Sequence, residues 1–540
     1  MATLADSLPD DVETLRAMVL AASAERDAVA AERDGERATK EAVAAERDKV
    51  VELNDRLRRL LRKAQGFEAK SERLAKLPPD QLQLALEDIE QAIARNEAIE
   101  EKKAPTSDRR RKVNRGALPA HLPHVHETVE PESQNCPCCG EPMHVIGEET
   151  SERLDVVPAQ YRVIVTHRPK LACRACEKIV EAPPPEHLIK SGLPTEGLVA
   201  SVLVAKYGWH LPLYRQAKML LSQGIELDRS TLAFWVGYAA AELEPLYERL
   251  KLNLLTSAKL AVDETPVPGL DPGRGKVKQG WFWVMARDDR PWNGLDPPAV
   301  FYSYAPGRGG EYLKDLLGDY RGIVQCDGYA PYKNLPADRI TTAFCWSHLR
   351  RDFFDIAERG DAPVATEAVA WIAQLYGIEA KIRGKNADER RAVRQAEAAP
   401  LVAKFRAWLD QQLPRLPGQS DTAKTIRYAF HHWDGLLRFL DDGRIELDTN
   451  IVERSMRPQS LTKKNALFAG NDDGGRFWAI LASLIECCKL NAIEPQAYLA
   501  DVLTRLVNLW PNNRLDELLP WAWAWAWAWA KARQSKQLVA

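Results

Sequence analysis

Hydrophobic and polar residues follow several distinct rhythms along this chain, and each change of rhythm marks a change of element. From Ala24 the order AERDAVA, AERDGER, ATKEAVA, AERDKVV, ELNDRLR repeats every seven residues. One column reads Leu15, Ala22, Val29, Glu36, Val43, Val50, Leu57, while the column three residues on, Met18 to Leu60, is polar in its middle. A pairing seam needs apolar side chains in both columns. The pattern therefore predicts a long dimerising helix over 1–65, with its seam strongest near Leu53, Leu57, Leu60 and Leu61. A second helical stretch from Asp80 to Glu100 and a linker rich in proline and charge fill 66–131.

Over 132–190 the rhythm turns to β-branched runs, as in LDVVPAQYRVIVTHRPKLAC, bracketed by two CxxC pairs. Cys136 and Cys139 form the first and Cys173 and Cys176 the second, with 33 residues between the inner cysteines. Two such knuckles complete a closed tetrahedral thiolate site, which suits structural Zn²⁺ in a zinc-ribbon-like module. Cys138 is a thiol in excess. From 191 to 255 apolar residues recur at helical spacing in three stretches. The second ends near Gly224 and the third starts after Asp228 or Ser230, an arrangement compatible with helix-turn-helix binding to DNA.

Strands dominate from Ala258: AKLAVDE, GWFWVMARDD, AVFYSYA, then a helix through GGEYLKDLLGDY, then GIVQCDG and ITTAFCW. Three strands, a helix and two more strands is the order of a ribonuclease-H-like core, in which the first and fourth strands are neighbours. Asp263 is expected to end the first strand and Asp327 the fourth. Strand alternation turns Glu264 away from Asp263, and LDTNIVERSMRP offers Glu453 on a helix as a third acid. Each acid also has an ordinary explanation: a turn before Thr265-Pro266, an Asp-Gly turn, and a helix-capping acid three residues after Asn450. Phosphodiester cleavage by in-line attack calls for hard divalent ions held by oxygen ligands, so carboxylates would bind Mg²⁺ or Mn²⁺. No GxSxG elbow or P-loop accompanies them.

Composition adds limits. The chain has 540 residues and a formal net charge of -2, so it is multidomain and any affinity for DNA must come from local basic patches. Two are evident: Arg56, Arg58, Arg59, Arg62, Lys63, and Arg109, Arg110, Arg111, Lys112, Arg115. Nine cysteines, four of them in knuckles, favour metal binding over a disulfide scaffold. The acidic start MATLADSLPDDVETLR lacks an export signal, and no apolar run reaches the roughly 18–20 residues of a membrane span; a cytoplasmic location is expected.

The stretches CPCCG with LACRACE, KYGWHLPLYRQ, AVDETPVPGLDPGRGK, VQCDGYAPY, CWSHLRRDFFD, LDTNIVERSMRP and KKNALFAG resemble, in order, the insertion sequence 66 family of bacterial transposases. The resemblance implies a leucine-zipper-like start, a zinc module, a DDE catalytic domain over 256–485 and a C-terminal part, 486–540. It places the catalytic acids, holding Mg²⁺ or Mn²⁺, on Asp263, Asp327 and Glu453. It implies a DNA transposase that binds element ends, cleaves and joins strands, and works as a homo-oligomer, with helper proteins from the same element as further partners. The 125 residues between Asp327 and Glu453 then hold a helical insertion at about 353–440. His348, Arg350, Arg351, Arg454, Arg457, Lys463 and Lys464 are candidate DNA contacts, with surface ion pairing as the alternative. Thr449 and Lys463 depart from the family pattern, which has Asn and Arg there. WAWAWAWAWA at 521–530 would expose an apolar stripe as a strand and reads as an expanded repeat without function. Two rival readings stay open: a nuclease on the same fold that cuts without joining, and a catalytically dead DNA-binding regulator.

Overall fold

A computed structural model describes residues 160–174, 176–190, 192–271, 275–360 and 362–524, with Val125, His126, Thr128, Cys138 and Glu141. The heptad helix, the second helix, both basic patches, Cys136, Cys139 and the last three Trp-Ala units lie outside the described residues. Described residues up to Pro184 belong to one compact unit and those from Pro185 onward to another. In the first unit, β1 (Lys170–Ala172) and β2 (Ile179–Glu181) pair antiparallel, and their connecting loop carries Cys173 and Cys176, both exposed.

The second unit opens with three helices, as the periodicity predicts: α1 (Glu196–Tyr207), α2 (Leu213–Leu221) and α3 (Arg229–Leu254). Thr195 caps α1 by accepting from the Leu198 N–H. Next come β3 (Lys259–Asp271), β4 (Lys276–Arg287), β5 (Ala299–Ala305), α4 (Gly310–Leu317), β6 (Gly322–Cys326), α5 (Ala330–Lys333) and β7 (Ile340–Phe344). They form one mixed sheet in the order β5-β4-β3-β6-β7. β3, β4 and β5 run as an antiparallel meander, while β6 lies parallel to β3 and β7 parallel to β6.

β3 corrects one expectation. The strand does not end at Asp263 but continues eight residues to Asp271, carrying Pro266 and Pro268 within it. Proline has no N–H to donate to a ladder and is therefore tolerated where a strand lacks a neighbour on one side. Here β3 has a second neighbour only at Lys259, Leu260 and Ala261, which pair with β6; beyond that point β4 alone borders it. The freed carbonyls of Pro268 and Pro266 accept instead from Ala469 N and Lys463 Nζ.

At the sheet's other side, the edge of β5 is covered rather than exposed. α13 (Asp472–Leu490), which follows α12 (Asn450–Ala466) and precedes α14 (Pro495–Val507), is buried without a break from Trp478 to Cys488. Its Ser483 Oγ accepts from Tyr302 N at 2.9 Å, and one turn on Cys487 Sγ accepts from Val300 N at 3.3 Å. Side chains of the helix thus satisfy edge N–H groups that would otherwise be buried unpaired.

Between β7 and α12 the chain is helical: α6 (Trp346–Glu358), α7 (Pro363–Ile382), α8 (Ala387–Val393), α9 (Ala399–Gln412), α10 (Asp421–His431) and α11 (Trp433–Asp441). These helices build a second core around Trp346, Phe353, Ile372, Phe405, Leu409 and Phe439. Within it Arg390 and Arg394 are buried; Glu379 accepts from both, and Glu446 pairs with Arg390. The Trp-Ala repeat begins as helix over 520–524, not as strand. Trp523 is buried edge-on against Tyr498 and donates to Asp501, and the Arg287 guanidinium lies over Trp521.

Replacing Glu379 by Ala would leave Arg394 charged and buried without its carboxylate, a loss worth about 3–5 kcal/mol. The expected readout is a lower urea midpoint for the helical transition; an unchanged midpoint would contradict this assignment.

Candidate functional site

The parallel pairing of β3 with β6 decides which acids meet. Ala261 is the last β3 residue paired with β6, opposite Gln325. Asp263, two residues further along β3, and Asp327, just past the end of β6, follow this register at the mouth of the parallel ladder, near enough for each to feel the other's charge. Asp263 is pushed up to about 7, by burial first, then by Glu264 and, more weakly, Asp327, while the Glu264 N–H opposes. That N–H donates to Asp263 Oδ1 at 2.8 Å, and the Tyr329 N–H donates to Asp327 Oδ1 at 2.9 Å.

Glu264 is held apart, as alternation requires. Its buried carboxylate accepts from Arg308 at 2.6 and 2.8 Å and from the Tyr332 hydroxyl at 2.6 Å. Arg308 lies 3.8 Å over the Tyr329 ring. Burial raises the Glu264 pKa in spite of these two donors.

Gly328 follows Asp327, but not for the conformational freedom of an Asp-Gly turn: it is not among the glycines with positive φ. A methyl group there would overlap the His432 ring and the Tyr428 hydroxyl, so the constraint is close approach. His432 closes the contact, with Nε2 3.3 Å from the Gly328 carbonyl.

Glu453 lies in the first turn of α12, yet it does not cap the helix. With Thr449 as N-cap and Asn450 the first helical residue, Glu453 is the fourth, one past the position from which a capping acid reaches back. Its carboxylate turns to α6: Oε2 accepts from Arg351 at 3.2 Å, and Oε1 stands 3.9 Å from His348 Nε2. His348 is half-buried. Burial works against its proton, but Cys345 and then Glu453 hold its pKa up at about 9. Among the described residues, the metal-ligating atoms gathered within 4.8 Å of one another are those of Cys345, His348 and Glu453, rather than those of the three acids.

The candidate DNA contacts divide. Arg454, Arg457 and Lys464 are exposed on α12, Arg351 is exposed but paired with Glu453, and Arg350 is half-buried. Lys463 is half-buried and donates to the Pro266 carbonyl at 3.2 Å. Sequence reasoning missed Cys345 and the Arg308–Glu264–Tyr332 bracket. The spacing of Cys345 and His348, three residues apart at the start of a helix, was the available signal for the first; nothing local signals the second, whose members are 44 and 68 residues apart.

A mixed sheet with two acids at adjoining strand ends, a helical insertion and a separate cysteine-bearing hairpin places the chain among α/β proteins of transposase type. Comparison with known proteins agrees. Residues 191–477 match the description "Transposase IS66 family", 133–177 match "zinc-finger binding domain of transposase IS66", 483–521 match "IS66 C-terminal element" and 52–126 match "Transposase C of IS166 homeodomain". The chain belongs to the IS66 family of transposases. Two relatives from Sinorhizobium fredii (strain NBRC 101917 / NGR234) carry only the names uncharacterized protein y4qI and y4jD. The first is 40% identical over 95% of this chain and 97% of its own length, the second 42% identical over 87% and 94%. The zinc-finger match supports a structural zinc, for which Cys173 and Cys176 on the β1–β2 loop offer the spacing of one knuckle. No helix among the described residues is long and apolar enough to cross a membrane.

Gly328→Ala should destabilise the unit by about 1–3 kcal/mol through overpacking, seen as a lower urea midpoint. Adding His432→Ala should recover part of it by opening space. Full tolerance of Gly328→Ala would refute the close-approach argument.

Proposed function

We propose that this chain is the DNA-cleaving and DNA-joining transposase of a bacterial insertion sequence, with Asp263, Asp327 and Glu453 as its catalytic acids. The observation that carries the reading is the β3–β6 register, which ends two residues short of both Asp263 and Asp327 in a chain of this transposase family. The strand order, three antiparallel strands followed by two parallel ones, supports a ribonuclease-H-like core.

The donors fit hard divalent ions. All are carboxylate oxygens, and Asp263 bears the crowding of neighbouring negative charge that a cation would relieve. Bound Mg²⁺ or Mn²⁺ would activate the attacking water or 3′-hydroxyl and stabilise the leaving oxygen. The chain's own residues do the rest. The Glu264 and Tyr329 N–H groups fix one oxygen of each aspartate. Arg308 and Tyr332 restrain Glu264 behind them. Arg454, Arg457 and Lys464, exposed on the helix that carries Glu453, are placed to meet backbone phosphates. In this reading the N-terminal heptad segment and zinc module serve end recognition and assembly into a homo-oligomer.

Asp263→Asn, Asp327→Asn or Glu453→Gln should each reduce cleavage of element ends below detection while gel-shift binding of those ends persists. Strand transfer retained by any of these variants would overturn the assignment.

A further inference from the structure

The group formed by Cys345, His348 and Glu453 is not explained by the catalytic reading. Cys345 occupies the N-cap position of α6 and His348 lies in its first turn, while Glu453 comes from the first turn of α12. The donor atoms of all three lie within 4.8 Å of one another. At this point Glu453 Oε1, the carboxylate oxygen that faces His348 Nε2, is buried with no hydrogen-bond partner. Arg351 engages only the other carboxylate oxygen, Oε2. Buried polar atoms are rarely left unpaired, so the geometry lacks a partner at the centre of the three.

The donor set says what kind of partner. A thiol, an imidazole and a carboxylate oxygen suit zinc and chemically similar ions, whereas magnesium avoids sulfur. Tetrahedral zinc, with bonds of roughly 2.0–2.3 Å, sets its ligands about 3.5 Å apart. His348 Nε2 and Glu453 Oε1, at 3.9 Å, are close to that already. The sulfur is also supported from outside: Thr449 Oγ1 donates to it at 3.4 Å and Ser347 Oγ lies 3.0 Å away, as surrounding polar groups orient ligands in built metal sites.

We propose that Cys345, His348 and Glu453 form a second metal site, for zinc or a similar thiophilic divalent ion, with three protein ligands and a fourth position open to water. It is separate from the zinc module of 133–177. It shares Glu453 with the proposed catalytic acids but does not involve Asp263 or Asp327. An ion there holds the Glu453 carboxylate toward α6. The competing arrangement is a plain ion pair of His348 with Glu453, in which Cys345 takes no part.

The test is metal content of the full-length chain, purified from zinc-supplemented medium, together with the absorption spectrum of the cobalt-substituted protein. The parent should hold about two equivalents, one per site, and show thiolate-to-cobalt charge transfer. Cys345→Ser and His348→Gln should each lose about one equivalent, while Cys173→Ser removes the other. His348, partly solvent-accessible, decides the matter if Cys345→Ser does not fold. Asp263→Asn should keep both equivalents, which separates this site from the catalytic reading. Unchanged zinc content and cobalt spectrum in His348→Gln, or loss of the same equivalent in Asp263→Asn, would overturn the proposal.

Discussion

The structure depends on a short parallel contact between two strands. Three residue pairs, Lys259 with Ile323, Leu260 with Val324 and Ala261 with Gln325, fix a register that ends two residues before Asp263 and Asp327. A shift of one residue would turn one carboxylate to the other face of the sheet, and antiparallel pairing would carry Asp327 to the opposite end of the ladder. The contact therefore sets Asp327 near Asp263, whose pKa is raised to about 7 by burial first, then by Glu264, with a smaller contribution from Asp327. Such crowding is unfavourable for folding and useful only if something positive is to be bound.

Other features serve that contact. β3 continues past its partner, and its prolines sit where only β4 borders it, so the mouth beside Asp263 stays open while β4 keeps the strand rigid. The β5 edge is closed by Ser483 and Cys487 of α13. The helical insertion has its own core, and its first helix supplies Arg351, His348 and Cys345 to the side of Glu453. Glu453 is thus positioned by two elements, α12 that bears it and α6 that engages it.

Much of this was legible in the sequence. The strand stretches GWFWVMARDD and AVFYSYA, the helix through GGEYLKDLLGDY and the N-cap candidate Asp228 give their elements within a few residues. Asp327 at a strand end followed from the short stretch GIVQC, which stops abruptly at Asp327-Gly328. The length of β3 was not legible, because Pro266 and Pro268 read as strand breakers when the missing neighbour cannot be seen. Glu453 looked like a capping acid because a helix start one residue out of place changes its role. The reason for Gly328 lay in His432 and Tyr428, about a hundred residues away, and no local rule reaches that far. The Trp-Ala repeat misled in the same way: its period of two suggests a strand, but contacts with Tyr498 and Asp501 hold its first units as helix.

The most direct test of the central claim is whether the chain joins DNA. Element ends already cut to expose their 3′-hydroxyls, mixed with the full-length protein, Mg²⁺ and a plasmid target, should yield covalent joints between each 3′ end and target DNA, resolved on denaturing gels and by sequencing across the junctions. Nicked or linearised target with no joined product would contradict the account and leave a nuclease.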